Sequence, residues 1–130
     1  MKESHSVILC LGSNADQEAN IQRAQKLLRT EYASIAFTPS IWTEPVGVVS
    51  PPYLNCLAAM TIEDNLSRLH DKTKSIERLM HSSPEERKGN TIRIDIDILC
   101  FDRQHYHEDD WNRDYVKRLI EDLPTPLHLI

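Results

Sequence analysis

The 130-residue chain predicts an α+β domain, a ferredoxin-like β-α-β-β-α-β sandwich with an antiparallel sheet, both helices on one face, and a further C-terminal helix. Three observations predict it. Four stretches carry strand patterning, and helical spacing fills the intervals between the first and second and between the third and fourth. Hydrophobic residues make up 40% of the chain, enough for one core in a single domain over residues 1–130.

Val7 to Leu11 is an apolar run that reads as a central strand, and Gly12-Ser13-Asn14 turns it into a helix that Ser13 or Asn14 can cap. From Ala15 to Glu31, Ile21, Ala24, Leu27 and Leu28 recur at helical spacing, with Asp16 and Glu18 in the first turn. Ile35 to Val46 holds Pro39 and Pro45, which confine it to an edge strand, and Glu44 to Pro52 is a constrained loop of the kind that carries ligands. Tyr53 to Glu63 alternates, with Leu54, Cys56, Ala58, Met60 and Ile62 on the core side and Tyr53, Asn55, Leu57, Ala59 and Thr61 opposite. Asn65 caps a second helix over Leu66 to Met80, whose buried stripe is Leu66, Leu69, Ile76, Leu79 and Met80 and leaves Lys74 and Glu77 outside. His81 to Asn90 reads as a polar loop, and Asp110 to Leu123 as a third, amphipathic helix.

The fourth strand, Thr91 to Phe101, is where charge meets core. Ile92, Ile94, Ile96 and Ile98 take one face, Arg93, Asp95 and Asp97 the other. Carboxylates two residues apart on a strand lie roughly 7 Å apart, a spacing that can hold one or two divalent cations against a polyphosphate. The same pattern also serves as an edge device against sheet-to-sheet aggregation. With the helices on one face, the other face stays open and collects Tyr53, Asn55, Arg93, Asp95 and Asp97.

Composition narrows the partners. Twenty acidic residues against 15 Lys and Arg leave a net charge of -5, which argues against nucleic acid, including the open-sheet mode of RNA binding. No apolar run reaches a membrane span, and Met1-Lys2-Glu3-Ser4-His5 lacks a signal-peptide core. Cys10, Cys56 and Cys100 stand singly in apolar runs, as buried thiols of a cytoplasmic protein rather than zinc ligands. The histidines of His105-Tyr106-His107 read as solvated.

Four pieces in fixed order carry a likeness: Leu11-Gly12-Ser13-Asn14, Trp42-Thr43-Glu44-Pro45-Val46-Gly47, Tyr53-Leu54-Asn55, and Ile94-Asp95-Ile96-Asp97-Ile98-Leu99, with Ile76-Glu77 between the last two. With these the chain resembles the 6-hydroxymethyl-7,8-dihydropterin pyrophosphokinases of folate synthesis. The resemblance implies transfer of pyrophosphate from ATP to the pterin's hydroxymethyl oxygen. It implies that Asp95 and Asp97 hold two Mg2+ ions, that Thr43, Glu44, Pro45, Val46, Tyr53 and Asn55 form the pterin pocket, and that Lys74 and Glu77 line the nucleotide side. Departures accompany it. Arg93 stands one place nearer Asp95 than the family's arginine, His81 and Ser82 replace a Gly-Arg pair, and Arg87 and Lys88 are the nearest substitutes as nucleotide-side cations. Pro124-Thr125-Pro126 stands where the family has Pro-His-Pro, and the downstream arginine and aromatic ring have no counterpart before Ile130. Lacking those, a rival expectation is a divergent pterin- or nucleotide-binding protein with weak or no transfer. For the enzyme, Arg93 is expected to steer phosphates beside Asp95 and Asp97.

Overall fold

A computed structural model of the chain describes residues 3–45, 47, 49–80 and 84–124. The first strand, β1 (His5–Ser13), is apolar almost throughout and takes the centre of an antiparallel sheet. It pairs on one side with β4 (Tyr53–Ile62) and on the other with β5 (Asp95–Phe101). Two short strands, β2 (Ala36–Phe37) and β3 (Ile41–Thr43), pair with the outer edge of β4, and β6 (Gln104–His105) closes the far edge beyond β5. The expected edge strand over Ile35 to Val46 is thus split in two. Pro39 lies in the gap, where its missing N–H cannot support a ladder.

Helices α1 (Gln17–Glu31) and α2 (Leu66–Leu79) cover one sheet face. Ile21, Ala24 and Leu28 of α1 and Leu69, Ile76 and Met80 at the α2 end pack with Leu54, Cys56, Ala58, Met60 and Ile62 of β4 in one core cluster. The ferredoxin-like α+β architecture is the one expected. Asn65 caps α2 as foreseen, its Oδ1 accepting from Arg68 N at 2.9 Å. At α1 the expectation fails: the cap position is Asp16, in the left-handed region at φ 44°, and no side chain caps it. Asn14 instead ties the β1 end to the approach to β5, donating to Asn90 O at 2.7 Å and accepting from Ile92 N at 2.6 Å.

The second sheet face is not open along its whole length. The C-terminal segment forms α4 (Glu108–Trp111) and α5 (Asp114–Ile120) rather than one helix. Val116, Leu119 and Leu123 lie on Ile8, Cys10, Leu57, Ala59 and Leu99 in a second core cluster. Residues expected to be loop also fold: Pro84–Lys88 is a short helix, α3, while His81, Ser82 and Ser83 lie outside the described residues. In α2, Leu79 is 55% exposed and Glu77 only 5%, the reverse of the expected stripe.

Within β5 the alternation is interrupted. Ile8 pairs with Cys100 and Leu9 with Ile98, so Leu99 is an extra, bulged residue. Before the bulge Ile96 and Ile98 point to the first cluster; at and after it Leu99 and Cys100 both join the second, and Phe101 returns to the first. All three cysteines are free and buried.

Candidate active site at the uncovered end of the sheet

The site follows from cross-strand register. Gly12 of β1 lies between Asn55 of β4 and Asp95 of β5, and Cys10, two residues earlier, lies between Leu57 and Asp97. Side chains at these positions share one face. A Cβ on Gly12 would come 3.0 Å from Asn55 Oδ1 and 3.6 Å from Tyr53 Cδ1, so the absence of a side chain there leaves the floor low. Above it is a cavity of about 240 Å³, walled by Thr43, Glu44 and Pro45 on one side, Tyr53 and Asn55 on the floor, and Asp95 and Asp97 opposite. Asn55 is buried, and its Nδ2 donates to Thr43 Oγ1 at 2.7 Å, which fixes the amide and leaves its carbonyl oxygen turned toward Gly12. Burial, and then the charge of Asp95, hold the Tyr53 phenol above its ordinary pKa, so it is a neutral ring and donor.

The carboxylates differ in their surroundings. Asp95 Oδ1 is 3.4 Å from Arg87 Nη1. Asp97 has no lysine or arginine partner among the described residues, and His107 Nε2 is 3.8 Å from its Oδ1. Burial first, and the neighbouring charge of Asp95 second, push the Asp97 carboxyl up from its ordinary 3.8 to about 7, against the opposite pull of His107 and Lys74.

Behind the carboxylates stands a buried brace. The Glu77 carboxylate accepts from Ile96 N at 2.8 Å, from Lys74 Nζ at 3.2 Å and from Arg87 Nη2 at 3.3 Å, and Arg87 also donates to Ile94 O at 3.1 Å. Glu77 therefore holds β5 and Arg87 in place; it does not line the cavity itself. Arg93 is displaced from its expected position. Because the strand begins at Asp95, Arg93 precedes the ladder and points to α3, where its Nε is 2.8 Å from Glu86. The cation beside Asp95 is Arg87, and Lys88 is exposed at the end of α3.

A second cavity of about 480 Å³ opens between α2 and β5, with Leu66, His70 and Lys74 on the helix side and Ile98, Tyr106 and His107 on the other. Asp97 borders both cavities. The structure thus gathers Thr43, Glu44, Pro45, Tyr53, Asn55, Asp95 and Asp97 in one place and puts Lys74 across Asp97 from them, while Val46 lies outside the described residues. Sequence reasoning missed Asp110, Arg113 and Tyr115, which close the first cavity from the α4–α5 turn.

The family model described as 7,8-dihydro-6-hydroxymethylpterin-pyrophosphokinase matches residues 8–125. The chain belongs to this family. No curated protein matches the chain. Family membership agrees with the donor chemistry. Pyrophosphokinases handle polyphosphates, and two carboxylates on one strand face, one of them without a lysine or arginine partner among the described residues, are the hard oxygen donors that Mg2+ takes together with phosphate. Among the described residues no helix is long and apolar enough to cross a membrane.

Proposed function

We propose that this chain is a cytoplasmic, Mg2+-dependent enzyme of folate biosynthesis that transfers the diphosphoryl group of ATP to 6-hydroxymethyl-7,8-dihydropterin. The observation that carries the reading is the meeting of two cavities at Asp97, one lined by amide, hydroxyl, aromatic and carboxylate groups and the other by Leu66, Ile96, Ile98 and Tyr106 together with Lys74 and two histidines. A flat heterocycle suits the first, where the Asn55 amide and the Thr43 hydroxyl can pair with ring nitrogens and an exocyclic amine and the Tyr53 ring can lie against its face. A purine nucleotide suits the second.

In the reaction the hydroxymethyl oxygen attacks the β-phosphorus of ATP. A new P–O bond forms there, the bond from the β-phosphorus to the α,β-bridging oxygen breaks with its electron pair passing to AMP, and the hydroxyl proton is lost to solvent. Phosphoryl chemistry of this kind is mostly positioning and charge neutralisation. Asp95 and Asp97 would hold Mg2+, which when bound neutralises phosphate oxygens. Asn55, Thr43 and Tyr53 hold the acceptor; Glu77, through Ile96 N and Arg87, keeps β5 and Asp95 from shifting.

One observation favours the rival reading of a binding protein without efficient transfer: Arg87 beside Asp95 and Lys74 near Asp97 each already pair with Glu77. Incubation with ATP, Mg2+ and the hydroxymethyl pterin separates the two. AMP appearing in step with the pterin diphosphate supports the transferase; tight pterin binding with no AMP supports the binding protein; ADP as product would refute pyrophosphoryl transfer.

A further inference from the structure

The wall that α4 and α5 add to the first cavity carries a positive charge that the rest of that cavity's described lining lacks. Glu44, Asp95, Asp97 and Asp110 bring four carboxylates to that cavity, and Arg113 is the only lysine or arginine among the described residues lining it. Its Nε is 3.0 Å from Asp110 Oδ1, an anchor three residues away that keeps the guanidinium at the cavity rim. Arg113 also lines the adjoining groove beside Ile41, Trp42 and Arg118, so it stands on the sill between cavity and surface. It does not line the larger cavity on the far side of Asp97. The planar guanidinium fork matches two phosphate oxygens at once.

We propose that Arg113 binds the diphosphoryl group on the acceptor side, so that it grips the diphosphorylated pterin and makes no contact with the α-phosphate that leaves in AMP. This rests on the transferase reading, and it adds a phosphate-binding residue from a segment whose sequence carried no such sign. The placement explains how a site crowded with carboxylates can hold an anionic product: Asp95 and Asp97 would hold Mg2+, which would supply positive charge there, and Arg113 supplies a cation from the α4–α5 wall.

Calorimetry in Mg2+ with three ligands tests it: the pterin diphosphate, the unphosphorylated hydroxymethyl pterin, and AMP. Arg113→Ala is expected to weaken the diphosphate by about tenfold or more while leaving the other two within about twofold, and Arg113→Lys to recover part of the loss. Because removing Arg113 also unmasks Asp110, the double variant Arg113→Ala/Asp110→Asn is measured beside it. Binding that stays weak in the double variant supports direct contact, whereas full recovery assigns the loss to Asp110 repulsion and overturns the proposal. Unchanged diphosphate affinity, equal weakening of all three ligands, or no diphosphate binding by the unsubstituted protein each overturn it as well. AMP release by the unsubstituted protein judges the transferase reading separately, so the two failures are told apart.

Discussion

Asp97 serves two opposed ends. Its burial beside Asp95 disfavours the ionised form, yet holding a cation requires that form. Because its folded pKa is raised from 3.8 to about 7, no penalty exists below 3.8, where both states bind the proton; it grows between 3.8 and 7 and is complete above. Asp97→Asn should therefore raise the melting temperature of the metal-free protein at pH 8 and change it little at pH 4. A pH-independent difference would show that Asp97 ionises normally. In the same variant, and in Asp95→Asn, transfer should fall by about a hundredfold or more in an AMP-release assay, with partial recovery at high Mg2+. Asn55→Ala should weaken pterin binding by about 1–3 kcal/mol and leave nucleotide binding unchanged by calorimetry, since it strips the ring of a buried partner. These residues were legible because strand alternation alone puts Asn55, Asp95 and Asp97 on one face. Glu77 was misplaced because its charge was allowed to outrank its position. Leu69, Thr73, Ile76 and Met80 fall at successive steps of four, three and four residues, Glu77 lies four beyond Thr73 and three before Met80, and all five are buried.

At the scale of elements, β5 and α2 behave as one unit clamped by Glu77. Glu77→Ala leaves Ile96 N without its acceptor and Arg87 with one acidic partner fewer, and should lower stability by about 3 kcal/mol in urea unfolding. Asn65→Ala removes only the α2 cap and should lower stability by about 1 kcal/mol, so a comparable loss in both variants would contradict the clamp. The helices and the long strands could be read because their periodicity is local. The start of β5 could not, since Arg93 continues the alternation of the strand in sequence while the backbone at Ile92 is claimed by Asn14, a hydrogen-bond partner 78 positions away. Nor could the bulge at Leu99, which shows only as a register shift against β1. Helix α3 escaped notice because five residues beginning at Pro84 give no period to measure.

Across the whole molecule, the order of strands and helices specified the sandwich, but the docking of the C-terminal segment is a long-range fact. One sign of it was present: Ile8, Cys10, Leu57 and Ala59 are apolar and fall on the face expected to be open, more apolar surface than a solvated sheet face needs. That face is in fact divided, with α5 over the Ile8 end and the cavity over the Gly12 end, and Tyr115 of α5 belongs to both. At four and seven residues, α4 and α5 are too short to persist as helices once lifted from the sheet. They should open to solvent well before the β1 ladder does. A ligand that touches Asp110, Arg113 or Tyr115 then has to hold the segment closed, so in amide hydrogen exchange the protons of Lys117 to Ile120 should slow when the cavity is filled, while those of Leu9 and Leu11 stay as they were. The outer helix thereby becomes a readout of occupancy, reporting from the other end of the same sheet face on a cavity whose ligand its own amides do not touch.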